Sequence, residues 1–170
     1  MTAPDQAIAI RPEAPGDEAT IFTLTDEAFR PMPFSDGDEP ELVNALRRDG
    51  DLTLSLVAED AERIVGHIAF SPVTISDGAQ DWYGLGPVSV WPELQRTGIG
   101  SALINRGIAD LRALDAKGIV LLGSNEYYPR FGFKCEPQLT YSGGPAEYFQ
   151  ALLLDGELPS GEVTFAPAFG

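Results

Sequence analysis

Apolar and polar residues alternate along Ile8-Ala9-Ile10-Arg11, the period-two mark of a strand, and the alternation stops at Pro12. The spacing then becomes helical. Ile21, Leu24, Thr25 and Ala28 recur at intervals of three or four behind Asp17, a residue type that caps helices. Pro31, Pro33 and Gly37 predict a loop from Arg30 to Asp38. Pro40 suits the start of a second, shorter helix with Leu42, Val43 and Leu46 on one side, ending near Gly50.

Leu52 to Glu59 alternates again, Asp60-Ala61-Glu62 makes a turn, and Arg63 to Phe70 predicts the returning strand of a hairpin. A further turn at Ser76-Asp77-Gly78 precedes a third strand of the series, Trp82 to Val90, which Pro92 ends. From Gly98 to about Leu114 the pattern is helical, with Leu103, Gly107, Leu111 and Leu114 on one row and Ile104 and Ile108 beside it. Gly118 to Leu122 is a continuous apolar run, as in a buried parallel strand. Tyr127 to Phe131 suits a brief helix, and Phe133 to Glu136 and Tyr148 to Leu154 are expected as closing strands. The order β-α-α-β-β-β-α-β-α-β-β predicts an α/β (α+β) layered fold, its sheet mostly antiparallel with one β-α-β crossover. No repeat or linker divides the chain, so one domain spanning 1–170 is expected.

Composition narrows the function classes. The formal net charge is -15, from 26 acidic and 11 basic residues. Such a field repels nucleic acid and anionic membranes, and it favours small cationic substrates such as amines. An anionic cofactor would need a local site strong enough to overcome it. No apolar run approaches the ~20 residues of a membrane span, and the first residues lack a secretion signal's basic start and apolar core. The single cysteine, Cys135, has no disulfide partner. A cytoplasmic enzyme, monomeric or homodimeric, is the expectation. One His and one Cys, with no ligand-spaced pair, give no support to a metal site.

The chemistry concentrates in Gln95-Arg96-Thr97-Gly98-Ile99-Gly100-Ser101-Ala102, between a strand and the strongest helix. Gly98 and Gly100 permit positive φ and close backbone approach, and the first N–H groups of a helix point into such a loop. With the helix dipole they form an anion site suited to a pyrophosphate. A nucleotide triphosphatase P-loop would need Gly-Lys-Ser/Thr, but Gly100 is followed by Ser101-Ala102. A dinucleotide fingerprint would need a third glycine where Leu103 stands.

The string Val88-Ser89-Val90-Trp91-Pro92-Glu93-Leu94-Gln95-Arg96-Thr97-Gly98-Ile99-Gly100 resembles the acetyl-CoA motif of the GNAT acetyltransferases: an apolar strand, a turn, then Gln/Arg-x-x-Gly-x-Gly/Ala opening a helix. Tyr128-Pro129-Arg130-Phe131-Gly132-Phe133 resembles the family's Tyr-x-x-x-Gly-Phe hallmark, and Val65-Gly66-His67-Ile68 its preceding strand. Ser71-Pro72-Val73 and the stretch Gly123-Ser124 to Phe133 are similar to a bacterial predicted-acetyltransferase subgroup. The resemblance implies the GNAT fold, a central mixed, mostly antiparallel sheet of six to seven strands flanked by about four helices. It also implies acetyl-CoA as cosubstrate, an amine acceptor and direct transfer in a ternary complex.

Residue by residue, the resemblance implies that main-chain N–H groups of Gln95, Arg96, Thr97, Gly98, Ile99 and Gly100 hold the pyrophosphate, with Ser101 adding a hydroxyl. Val88, Ser89 and Val90 would bind the pantetheine arm through backbone groups, as an added strand does, and a donor near Val90 would steady the thioester oxygen. Asn125 matches a position that contacts the cofactor's amides. Tyr128 matches the hallmark tyrosine, placed to give the leaving thiolate its proton; a parent thiol near ~8.5 and a phenol near ~10 make this feasible. Tyr127 is the second choice. The base is open between Glu27, Asp26, Glu126 and His67, with Glu27 paired with Tyr128 as the expected catalytic residues. Cys135, whose nearest companion is an acid, is rejected as a covalent nucleophile. A non-catalytic acyl-CoA-binding module and a different acyl donor are the competing readings.

Overall fold

A computed structural model describes residues 7–33, 35–61 and 63–170. Its main sheet has six strands in the order β1-β2-β3-β5-β6-β8, and a smaller one has the order β4-β9-β7. The strands are β1 (Ala9–Pro12), β2 (Leu54–Glu59), β3 (Ile64–Pro72), β4 (Thr74–Ile75), β5 (Trp82–Val90), β6 (Gly118–Leu122), β7 (Leu139–Thr140), β8 (Phe149–Leu153) and β9 (Gly161–Thr164). In the main sheet the β5–β6 pair is parallel and the other pairs are antiparallel, as the crossover required.

Three α-helices cover this sheet among the described residues, rather than about four: α1 (Glu18–Phe29), α2 (Glu39–Asp49) and α3 (Ile99–Ala113). The brief helix expected at Tyr127 to Phe131 is a single 3-10 turn, Tyr128–Phe131, closed by Gly132 at φ +103°. Asp17 stands at the cap position of α1, where its carbonyl accepts from the Ile21 N–H, but its side chain makes no bond into the helix. Its carboxylate turns back to the Ala14 N–H and the Arg11 guanidinium instead. Pro40 and Gly50 do bracket α2, with Gly50 left-handed at φ 78°.

Alternation along the strands sorts the core into two faces. Leu56, Ile68, Phe70, Ile119 and Leu121 pack with Leu103, Ile104 and Leu111 of α3. The opposite face meets α1 and α2 through Val57, Ile64, Ile21, Leu24 and Val43, and meets the small sheet through Trp82, Val120 and Phe149. Gly107 lets α3 lie close: a Cβ there would sit 2.3 Å from the Phe70 ring, which is fully buried. That close approach sets the height of the helix above the sheet, and so the position of its first turn.

Two expectations fail locally, and one small sheet was not foreseen. Phe133 to Glu136 forms no strand, only an isolated bridge between Lys134 and Ala151, because Pro137 follows at once and cannot donate to a ladder. Leu114 is 56% exposed rather than buried, because α3 stops at Ala113 and Asp115 reverses the chain at φ 64°. The small sheet β4-β9-β7 had no counterpart in the expected element order.

Candidate active site

β5 leaves its neighbour halfway. It pairs with β6 only at Trp82, Tyr83 and Gly84, while β6 continues beside β8 as far as Leu122. The cause lies in β5 itself. Between Ile68↔Val88 and Phe70↔Leu85 it carries one residue more than β3 does, a bulge that bends the strand. Gly86 at φ 137° takes up the bend, and Pro87 has no N–H to offer a partner strand.

The opened edge exposes backbone. The Trp91 N–H bonds the Val65 carbonyl, so by antiparallel alternation Ser89 directs its main-chain groups to β3. Val88 and Val90 then direct theirs to the open side. Consistent with this, the Val90 carbonyl accepts a hydrogen bond from Gln95 Nε2 at 3.2 Å.

At the end of β5 the chain enters α3 through two left-handed residues, Arg96 at φ 66° and Gly98 at φ 96°. Consecutive turns of opposite hand make neighbouring amides converge, which creates an anion-binding concavity. The N–H groups from Arg96 to Ser101 carry no hydrogen bond to the described protein; the first one spent is that of Ala102, which bonds Gly98. Beside them runs a groove of about 630 Å3 lined by Val88, Val90, Arg96, Gly100, Tyr127 and Arg130, among others. Two cations therefore face one groove in an acidic protein. Arg130 was not singled out from the sequence. Its guanidinium stacks 4.5 Å from the Tyr127 ring centre and its Nε donates to the Tyr127 carbonyl.

On the opposite face of the sheet a second cleft, about 580 Å3, lies between the diverging strands, the start of α2 and the C-terminal turn Pro167–Phe169. Val88, Tyr127 and Tyr128 line both spaces. They mark where groove and cleft meet through the opened sheet.

The Tyr128 ring lies edge-on to Tyr127 and Phe133, with centroids 5.1 and 6.0 Å away. Its hydroxyl bonds no described residue, whereas the Tyr127 hydroxyl lies 2.9 Å from Ser101 Oγ. Burial, with a smaller contribution from Tyr127, pushes the Tyr128 phenol up to about 12. The proton is held more firmly than the sequence reading assumed.

The structure does not gather every expected residue. Gln95, Arg96, Gly98, Gly100, Ser101, Val88, Val90 and Tyr128 line the groove. Ile99 offers only its amide, since its side chain is buried in the core. The Thr97 hydroxyl bonds the Leu94 carbonyl, and Ser89 is buried with its hydroxyl unpaired. Asn125 is exposed and donates to the Glu147 carbonyl at 3.3 Å. Glu27 lines neither space. It lies on the outer flank of α1, 3.5 Å from Arg30, and Asp26 binds the same arginine. Glu126 is exposed and lines neither.

His67 is enclosed within the sheet, away from both spaces. Ser55 Oγ lies 2.5 Å from Glu13 Oε1 and 2.8 Å from His67 Nε2. The single hydroxyl proton goes to the carboxylate, so Nε2–H donates to Ser55 and Nδ1 is left as a bare, unpaired acceptor. Burial pushes the imidazole down to about 4, against the opposing pull of Glu13. Burial would raise Glu13 too, but hydrogen bonds from Arg47 and Ser55 outweigh it and hold that carboxyl below its usual range. Among the described residues no cluster of three or more His, Cys, Asp or Glu could hold a metal, and no helix is long and apolar enough to cross a membrane.

Comparison with known proteins matches residues 19–133 to the model of the acetyltransferase (GNAT) family. The Escherichia coli (strain K12) protein named "Uncharacterized N-acetyltransferase YhbS" is 37% identical over 126 residues, 74% of this chain and 72% of its own. A crystal structure of a GNAT family acetyltransferase from Brucella melitensis in complex with acetyl-CoA is 47% identical, with TM-score 0.87, covering 97% of this chain and 99% of that one. The E. coli YhbS structure in complex with CoA superposes with TM-score 0.89 at 31% identity, covering 99% and 95%.

Proposed function

The chain belongs to the GNAT acetyltransferase family, and from that premise we propose that it transfers an acetyl group from acetyl-CoA to a primary amine in a ternary complex. One observation carries this reading. The amide-rich groove at the start of α3 and the cleft on the far face meet at Val88, Tyr127 and Tyr128, so a thioester arm laid in one reaches an acceptor held in the other.

The pyrophosphate sits on the free amides from Arg96 to Ser101, where the helix dipole and two arginines overcome the acidic field. Pantetheine amides pair with the outward main-chain groups of Val88 and Val90, as an added strand would. The outward N–H near Val90 donates to the thioester oxygen as charge develops there. The amine nitrogen then attacks the carbonyl carbon, the C–S bond breaks, and the sulfur leaves toward the Tyr128 hydroxyl. An amine with parent pKa near ~10.4 must shed a proton before attack, and the open cleft gives water access for it. The buried His67 and the outward Glu27 take no part.

Purified protein mixed with acetyl-CoA and a panel of amines, followed by thiol release and product mass, tests this. Thiol release matched by acetylated amine is expected. Tight acetyl-CoA binding without turnover on any amine would replace the enzyme reading with that of a binding module. Preferential transfer from another acyl-CoA would change the donor.

A further inference from the structure

The far cleft is built for one kind of acceptor. Its walls are mainly hydrocarbon, and aromatic rings come from four separate parts of the chain: Phe29, Tyr127 and Tyr128, Tyr141, and Phe165 with Phe169. Phe165 is the keystone of the outer wall, edge-on to Tyr141 at 5.0 Å and beside Phe169 at 5.3 Å. Rings at such positions give an apolar body a surface to bury against, and their faces attract a cation.

The charges in the cleft have one sign. Asp38 and Glu39 line it, and no Lys, Arg or His does. Ser35 Oγ bonds one oxygen of Glu39 at 2.7 Å and fixes the carboxylate, while the Asp38 side chain makes no bond into α2. The start of α2 brings a partial positive charge of roughly half a unit to this end, but two full carboxylates outweigh it. A carboxylate or phosphate on the acceptor would therefore meet repulsion without a cationic partner, and a polyhydroxylated sugar would lose hydration where it lies against the rings of Phe29, Phe165 and Phe169.

We infer that the acceptor is a small primary amine with an apolar, aromatic or alkyl body, whose ammonium is its only charge. This rests on the acetyltransferase reading above and narrows it. Amino acids, aminosugars and phosphorylated amines are disfavoured. The body lies between Phe165, Phe169 and Phe29, and the ammonium is drawn in past Asp38 and Glu39 before it loses its proton.

The test compares acetylation of phenethylamine with that of phenylalanine, which adds only a carboxylate, and of glucosamine. Phenethylamine is expected to have the higher kcat/KM by on the order of a hundredfold, since a carboxylate would be brought against Asp38 and Glu39 with no cation beside it. Two variants locate the effect. Phe169 is 38% exposed on the C-terminal turn, so Phe169→Ala should fold, and it should raise KM for phenethylamine while leaving KM for methylamine nearly unchanged. Glu39→Gln should shrink the preference for phenethylamine over phenylalanine about tenfold. Faster acetylation of phenylalanine or glucosamine would overturn the acceptor assignment and leave the acetyltransferase reading intact. Transfer to none of these and to no other amine, with acetyl-CoA bound, would overturn both.

Discussion

Replacing Tyr128 by Phe separates a catalytic hydroxyl from a packing ring. The hydroxyl bonds no described residue, so its loss leaves no partner stranded, and the ring contacts with Tyr127 and Phe133 survive. Stability should change by no more than about 0.5 kcal/mol. The rate should change far more. With the phenol at about 12 and a thiol near ~8.5, complete proton transfer to a solvated thiolate would be uphill by about 5 kcal/mol. On the proposed mechanism Tyr128 would therefore act mainly as a hydrogen-bond donor to the developing thiolate, and the burial that raises the phenol would raise the basicity of a sulfur beside it as well. A hydrogen bond to a charged group contributes about 1.5–3 kcal/mol, so kcat of Tyr128→Phe should fall about 10- to 150-fold. Binding of acetyl-CoA should be nearly unchanged. Because the phenol titrates near about 12, wild-type kcat should show no ionisation of Tyr128 between about pH 8 and 10. Steady-state thiol release and thermal melting of both proteins supply the comparison. Equal kcat, or a melting temperature that falls along with kcat, would refute the donor role.

Two further perturbations probe the frame around the site. His67 is depressed from 6.5 to about 4 when folded, so the unfolded chain binds the extra proton first as pH falls; its contribution is complete above about 6.5 and is lost progressively down to about 4. Between pH 7 and 5 this should cost about 2 kcal/mol in urea unfolding, and His67→Gln should flatten that slope; an equal slope in the variant would exclude His67 as its source. Gly107→Ala should destabilise by about 1–3 kcal/mol despite the better helix propensity of Ala, because the new methyl meets the buried Phe70 ring; unchanged urea stability would show that α3 can move freely.

What the sequence disclosed followed the range of the interactions involved. The strand-turn-helix from Trp82 to Ala113 was legible because alternation, Pro92, Gly98 and the row of Leu103, Gly107 and Leu111 all lie within one local stretch. β4 and β7, of two residues each, are too short to show any period, and they form only where β9 joins them from a distant part of the chain. The cleft was hidden for the same reason, since Phe29 and Phe165 are brought together by folding alone. Among the described residues, the loop read from Arg30 to Asp38 reaches the cleft only at its end, through Asp38, and Tyr141 lines the wall from another distant segment. Glu27 illustrates the limit of chemical type. Its residue type suits a base, but Ile21, Leu24, Thr25 and Ala28 take the buried side of α1 and leave Glu27 beside Arg30, outside both the groove and the cleft. Arg130 had a local signal, a cation two residues after Tyr128, but its place in the groove depends on stacking against Tyr127.

The most direct measurement is calorimetric titration of acetyl-CoA into wild type and Gly100→Val. A Cβ at Gly100 would meet nothing nearer than the Tyr127 hydroxyl at 3.8 Å and Val90 Cγ2 at 3.9 Å, and Val is no worse a helix former than Gly. The variant should therefore melt with wild type, while its added methyl groups would fill the space assigned to the diphosphate in the proposed mode of binding. Saturable binding to wild type, weakened at least about tenfold in an equally stable variant, is the expected result. Equal affinity in the two proteins, or no binding to wild type, would contradict the assignment of that turn as the cofactor site.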